Sequence, residues 1–174
     1  MSNISGRPVA LEDISIRNEL RSGDIGYVTY MHGILYWREY QYDFHFESYV
    51  ASGLHEYAEH YNPVRDSVWI CEHNEKIIGS IFLMNRGEAA QLRYFLIEPG
   101  YRGIGLGKHL MELYMQFLRQ CGYTSSYLWT THELPAAASL YMRHGFELTE
   151  EKTGVFWGKH LTQQRYDLRE IGVL

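Results

Sequence analysis

Between residues 94 and 117 the chain passes from an apolar run, Tyr94-Phe95-Leu96-Ile97, into a glycine-rich stretch from Gly100 to Lys108. A helical pattern of Leu106, Leu110, Leu113 and Phe117 follows at once. A strand that ends in glycines and opens a helix leaves the first N–H groups of that helix unpaired, and residues without side chains let an anion approach the backbone. Arg102 and Lys108 add positive charge, so the loop suits a pyrophosphate. Two other phosphate loops fit poorly. A Walker A loop has four residues between its first Gly and Gly-Lys, then Ser or Thr; here Gly103 and Gly107-Lys108 enclose three, and His109 follows. A dinucleotide fingerprint needs Gly-x-Gly-x-x-Gly in an opening βαβ unit, whereas Gly103-Ile104-Gly105-Leu106-Gly107 has another spacing and comes late. A turn that merely packs tightly is the remaining alternative.

The flanking sequence predicts an α/β chain. Residues 14–20 read as a strand, and Asp24 as the cap of a helix with a buried stripe of Tyr27, Tyr30, Met31, Ile34 and Leu35. His32, Tyr36 and Glu39 form a second stripe on it. Asp43 opens another helix carrying Phe46, Tyr49, Val50, Leu54, Tyr57 and Tyr61, which Asn62-Pro63 stops. Strands are predicted over 68–71 and 77–84, joined by turn chemistry at His73-Asn74-Glu75, and over 91–97. After the glycine loop the helix runs towards Gly122, and a strand covers 127–130. Pro135 opens a short helix with Ala137, Leu140 and Tyr141, closed by Gly145, before strands at 155–157 and 165–168. The order β, α, α, three β, α, β, α, β, β gives a mixed central sheet of about seven strands flanked by about four helices. No repeat interrupts it, so residues 1–174 read as one domain.

Composition narrows the function. A net charge of −5 argues against a nucleic-acid footprint, which needs clustered Lys and Arg, while a cationic small partner is tolerated. Cys71 and Cys121 lie far apart, in different predicted elements, so neither a disulfide framework nor zinc-ligand spacing is expected. Without an apolar run of membrane-spanning length, the expectation is a soluble cytoplasmic protein that does not bind membranes.

Arg102-Gly103-Ile104-Gly105-Leu106-Gly107 resembles the Arg/Gln-x-x-Gly-x-Gly/Ala signature of GNAT N-acetyltransferases. Ala137-Ala138-Ser139-Leu140-Tyr141 through Gly145-Phe146 is similar to that family's second signature, and the element order agrees. His32 to Tyr40 resembles, more particularly, the acetyltransferase domain fused behind MarR-type regulators, although these 174 residues include no winged-helix segment. The resemblance implies a GNAT fold and acetyl-CoA-dependent acetylation of a primary amine of a small molecule, amino acid or peptide. A non-catalytic acyl-CoA-binding or sensing module is the alternative it leaves open, and a homodimer would be ordinary for the family. It implies backbone contacts to pantetheine and the thioester from Leu96 and Ile97, and pyrophosphate binding by Arg102, Gly103, Gly105, Gly107 and Lys108. Tyr141 becomes the acid for the departing thiolate, against the plainer reading of core packing beside Leu140. Where the family often has Asn, this chain has Leu134; Thr131 or Ser139 could supply a substitute hydroxyl, although Thr131 could simply cap the next helix.

An ammonium must lose a proton before it attacks, so a base or a water chain is required. His32 and Glu39, two helical turns apart on the Tyr36 stripe, are candidates for base and amine binding, with a solvated helix face as the equal alternative. Glu88, His132, Glu133 and His144 also lie near the expected site. The Tyr-rich helices from Tyr27 to Tyr61 are expected to form the amine pocket and, through Glu39 and aromatic faces, to favour cations. His55 and His60 are five apart rather than four, so they point away from each other on a helix and no metal is expected. Gly33 within a helix signals close packing or substrate approach.

Overall fold

The computed structural model describes residues 7–171. Its elements are β1 (Ser15–Arg17), α1 (Asp24–Tyr40), α2 (Phe44–Glu59), β2 (Ser67–His73), β3 (Lys76–Arg86), β4 (Ala89–Ile97), α3 (Leu106–Gln120), β5 (Ser125–Thr131), α4 (Pro135–Arg143), β6 (Glu147–Phe156) and β7 (Lys159–Leu168). The order is the one the sequence predicts. The strands join in one sheet, β1-β2-β3-β4-β5-β7-β6, antiparallel throughout except where β4 meets β5.

Side-chain alternation on the central strands divides the core in two. Trp69, Cys71, Ile81 and Leu83 face one side, where they pack with Leu106, Leu110, Met111, Tyr114 and Leu118 of α3. Val68, Ile70, Phe82 and Met84 face the other, against Val28 of α1 and Phe46, Val50, Leu54 and Tyr57 of α2. Helices therefore cover both faces of the sheet.

Four sequence expectations change in the fold. β1 is only three residues long, because Arg17 turns to hydrogen-bond the buried Asp24 carboxylate at 2.7 Å through both guanidinium nitrogens and Glu72 at 2.9 Å. Asp24 is accordingly in the first turn of α1 rather than its cap; its carboxylate also accepts from the Arg21 N–H at 2.6 Å. The buried face of α1 is Asp24, Val28, Met31 and His32, rotated from the predicted stripe, and Tyr30 is exposed. Charge satisfied by Arg17 let an acidic residue go inside, which an apolar-period count does not see. β6 and β7 extend well beyond the predicted segments, since β6 is exposed on both faces over most of its length and carries no burial pattern. Gly33 serves packing: a Cβ there would lie 2.6 Å from the Glu47 carboxylate of α2.

Candidate functional site

The site begins where two strands part. β4 and β5 pair only over Ala89 to Gln91 with Ser125 to Tyr127; then β4 continues beside β3 to Ile97 while β5 continues beside β7 to Thr131. At the parting β4 bulges. Ser80 stands opposite Leu96 and Phe82 opposite Arg93, so Tyr94 and Phe95 together oppose Ile81. Tyr94 takes φ 50°, an outlier for a bulky residue, and the Ser80 hydroxyl donates to its carbonyl at 2.7 Å. Its ring packs edge-on to His32 and Phe82, and its buried hydroxyl, without a hydrogen-bond partner among the described residues, lies over Gly53 of α2. A Cβ at Gly53 would come within 2.1 Å of that hydroxyl.

Two cavities meet across the opening. One, of about 360 Å³, runs from the glycine loop along Phe95, Leu96 and Ile97 to α4, with Tyr36, Glu39, Tyr40, Arg102, Gly103 and Gly107 on its walls. The other, of about 350 Å³, is an aromatic chamber that includes Tyr36, Tyr42, Phe46, Tyr49, Trp129 and Trp157. Tyr36, Phe95, Leu134, Ala137 and Tyr141 line both.

In the loop, Gly103 and Gly105 adopt φ +81° and +88°, a conformation that side chains resist, and a Cβ on Gly103 would meet nothing within 4 Å. Gly105 is the residue before α3, so the helix's unpaired N–H groups open beside it. Gly107 packs instead, with a Cβ position 3.4 Å from Leu140 and 3.6 Å from Ile97. Lys108 is exposed on α3, 3.8 Å from Glu112, and Ser139 accepts a hydrogen bond from Arg143 at 3.1 Å; neither lines a cavity.

Tyr141 stands at the junction, buried among Phe95, Phe146 and Tyr166 with ring centroids 6.2–6.3 Å away. Burial, helped by Tyr36, pushes its phenol far above the usual range, so it stays protonated. His32 is buried and faces the aromatic cavity, not solvent. Its Nδ1–H donates to the Val28 carbonyl at 2.8 Å, which leaves Nε2 with the lone pair. Burial foremost, with the nearby Arg93 cation, lowers its pKa to about 4. Glu39 lies elsewhere: Arg102 holds it bidentately at 2.7 and 2.8 Å while also donating to the Ile97 carbonyl, and Glu39 lines the loop-side cavity alone. The expected cation preference of the aromatic cavity thereby loses its carboxylate. Thr131 does not cap α4; its hydroxyl pairs with Tyr42 at 3.0 Å, and Leu134 occupies the cap position and part of the wall between the cavities.

Within the Tyr-rich segment from Tyr27 to Tyr61, Tyr36 of α1, Tyr42 of the α1–α2 connection, and Phe46 and Tyr49 of α2 enter the aromatic cavity; Tyr27, Tyr30, Tyr57 and Tyr61 do not. The sequence reading missed Arg93, Trp129, Lys152, Trp157 and Gln163, which also line it. Trp157 had a signal: Trp157-Gly158, both at positive φ, is the tight turn between β6 and β7. That turn docks on the α1–α2 connection, where the Asp43 N–H donates to the Trp157 carbonyl at 3.0 Å, and the indole packs tilted against Tyr42 and edge-to-face with Phe46. Among the described residues no group of His, Cys, Asp and Glu is arranged to hold a metal, and no helix is long and apolar enough to cross a membrane.

Comparison with known proteins places this arrangement. Human N-acetyltransferase 8B is 28% identical over 97 residues, covering 52% of this chain and 43% of that protein. The uncharacterized N-acetyltransferase YjgM of Escherichia coli is 33% identical over 98 residues, 54% of this chain and 59% of that protein. The chain thus spans about half the length of the curated relatives it matches. The structure of yncA, a putative acetyltransferase from Salmonella typhimurium with its cofactor acetyl-CoA, superimposes with a TM-score of 0.65 at 18% identity, over 90% of this chain and 94% of that one. The model of the acetyltransferase (GNAT) family matches residues 33–146, from the middle of α1 through both glycine-bearing segments to the start of β6, and the chain belongs to that family.

Proposed function

We propose that the protein transfers an acetyl group from acetyl-CoA to a primary amine of a small molecule, amino acid or peptide. The observation that carries this reading is the placement of Tyr141 where the two cavities join. The loop-side cavity fits CoA: Gly103 and Gly105 open the backbone beside a helix N-terminus for the pyrophosphate, and Phe95, Leu96, Ile97, Ala137 and Leu140 give an apolar wall for pantetheine. Arg102 and Gly107 border the same space. Lys108 contributes from outside the cavity as long-range charge, and Ser139 is left to α4.

Acetyl-CoA supplies a carbonyl carbon for the amine nitrogen and a thiolate that leaves as the carbon–sulfur bond breaks. The edge of β4 that β5 leaves uncovered offers a fixed backbone donor at Ile97 where negative charge develops on oxygen, while Leu96 turns its N–H and carbonyl to Ser80 of β3 and borders the cavity with its side chain. The Tyr141 hydroxyl, kept protonated by burial, hydrogen-bonds the leaving sulfur. His32 Nε2 is an acceptor for the amine proton. At a pKa of about 4 it does not keep that proton, so it acts as one step on the path to water rather than as a strong base. Glu39 acts on the cofactor side, by fixing Arg102, and not on the amine.

The likeness of residues 32–40 to regulator-fused acetyltransferase domains supports a second reading, acyl-CoA sensing without transfer. Thiol release from acetyl-CoA over a panel of amines separates the two. Release that depends on an added amine and falls in Tyr141→Phe is expected; tight CoA binding with no release by any amine favours the sensor.

A further inference from the structure

The aromatic cavity has an unexpected electrostatic character. Apart from tyrosine phenols, its ionisable walls are His32, held neutral, with Arg93 and Lys152, and among the described residues no carboxylate lines it. Lys152 is exposed at the rim, paired with Glu150 at 3.1 Å and lying 4.6 Å from the Trp129 ring centre. Arg93 is different. It follows the last parallel β4–β5 pair by two residues, and the bulge begins immediately after it. Its guanidinium lies 5.1 Å from the ring centre of Tyr49 and 4.7 Å from that of Tyr94, over Gly53, where a Cβ would stand 2.7 and 2.9 Å from its two terminal nitrogens.

Several other guanidiniums, exposed ones among them, are answered by acceptors. Arg17, Arg86, Arg102 and Arg165 each hold a carboxylate, and Arg65 holds two backbone carbonyls. Arg93 has no ion pair among the described residues. The acidic group whose charge reaches it, Glu56, is committed to Arg86. A half-buried guanidinium pressed between aromatic rings retains a planar fork of donors, and a carboxylate matches that fork bidentately. The same cation repels an ammonium, so a polycation is disfavoured in this chamber.

On the reading of the site given above, we propose that the acceptor is an amine that also carries a carboxylate, with the carboxylate paired to Arg93 and an apolar body among Tyr49, Phe46 and Trp157. The amine then lies towards His32 and Tyr141, at the end of the chamber that opens to the loop-side cavity. The fit selects α-amino-acid-like acceptors over their decarboxylated amines and over polyamines.

The test compares kcat/KM for matched pairs of aromatic and aliphatic α-amino acids and their decarboxylated amines, with spermidine as the polycationic control. The wild type is expected to favour the carboxylated member of its best pair about 10- to 100-fold, the range for a charged hydrogen-bonded contact. Arg93→Gln should remove that preference while changing the decarboxylated amine less than about threefold, and Arg93→Lys should restore part of it. An unchanged rise of melting temperature with acetyl-CoA shows that the variants fold. Preference for the decarboxylated amine or for spermidine, or equal losses on both members in Arg93→Gln, overturns the proposal. Binding decides it independently of turnover: N-acetylphenylalanine should bind the CoA-loaded wild type more tightly than N-phenethylacetamide and lose that advantage in Arg93→Gln. Equal or reversed binding overturns the anion site even in an active enzyme. Absence of thiol release with every amine counts against acetyl transfer alone.

Discussion

Replacing Tyr141 by Phe removes one oxygen from a residue that is 5% exposed and leaves its ring in place among Phe95, Phe146 and Tyr166. Because the ring packing survives, the stability change should stay within about 1 kcal/mol, whereas Tyr141→Ala should lose about 3–5 kcal/mol through the cavity it leaves. A hydrogen bond to a charged group contributes about 1.5–3 kcal/mol, so losing one that forms as the thiolate departs lowers kcat roughly 10- to 100-fold. The hydroxyl should matter only in the transition state, and KM for acetyl-CoA should therefore change less than about twofold. Burial raises the phenol's pKa, so the protonated donor persists to higher pH than a free tyrosine; the wild-type rate should show no decline from this group below about pH 10. Thiol release followed from pH 6 to 10, with acetyl-CoA and amine varied separately, measures each quantity. Wild-type kcat in the Phe variant would refute the assignment and return Tyr141 to packing.

Gly105→Glu places a side chain at φ +88° in the mouth of the loop and adds negative charge beside the α3 N-terminus. Saturating acetyl-CoA, which at 100 times Kd stabilises a binding-competent protein by about 2.7 kcal/mol, should no longer raise its melting temperature; an undiminished rise contradicts the loop assignment. His32, with a folded pKa of about 4 against roughly 6.5 in the unfolded chain, binds its proton more readily when unfolded. Its stabilising contribution is present above about pH 6.5 and is lost as pH falls through 4, by about 3 kcal/mol in all. Denaturant midpoints for wild type and His32→Gln should therefore approach each other on acidification across that window, and a constant gap excludes the buried neutral imidazole. Glu39→Gln should leave the amine KM within about twofold and stability within about 1 kcal/mol, since the partners of its pair with Arg102 are 25% and 43% exposed. A several-fold rise in amine KM would put Glu39 back in the acceptor site.

Features written in adjacent residues were legible in the sequence alone. The glycine loop, its strand and its helix follow from local spacing, as do the element order and the turn at Asn74-Glu75, whose φ values of 49° and 63° suit a tight hairpin. Tyr141 was placed by the short helix that carries it. What the sequence could not settle is which cavity each side chain enters. His32, Tyr36 and Glu39 share a helical stripe, yet α1 crosses the opening so that His32 faces the aromatic chamber, Tyr36 borders both cavities and Glu39 meets Arg102 on the far side. The exposed β6 gave no period to read, although its turn delivers Trp157 to the chamber. Arg93 reads in sequence as one polar position in an alternating strand, Leu92-Arg93-Tyr94. Its surroundings come from tertiary contacts: the bulge at Tyr94 and Phe95, the departure of β5 from β4, and Gly53 on a helix forty residues earlier. Strand alternation assigns a face only while the register holds, and one extra residue resets it, so the partners of a side chain at a bulge are decided by the packed sheet and helices around it.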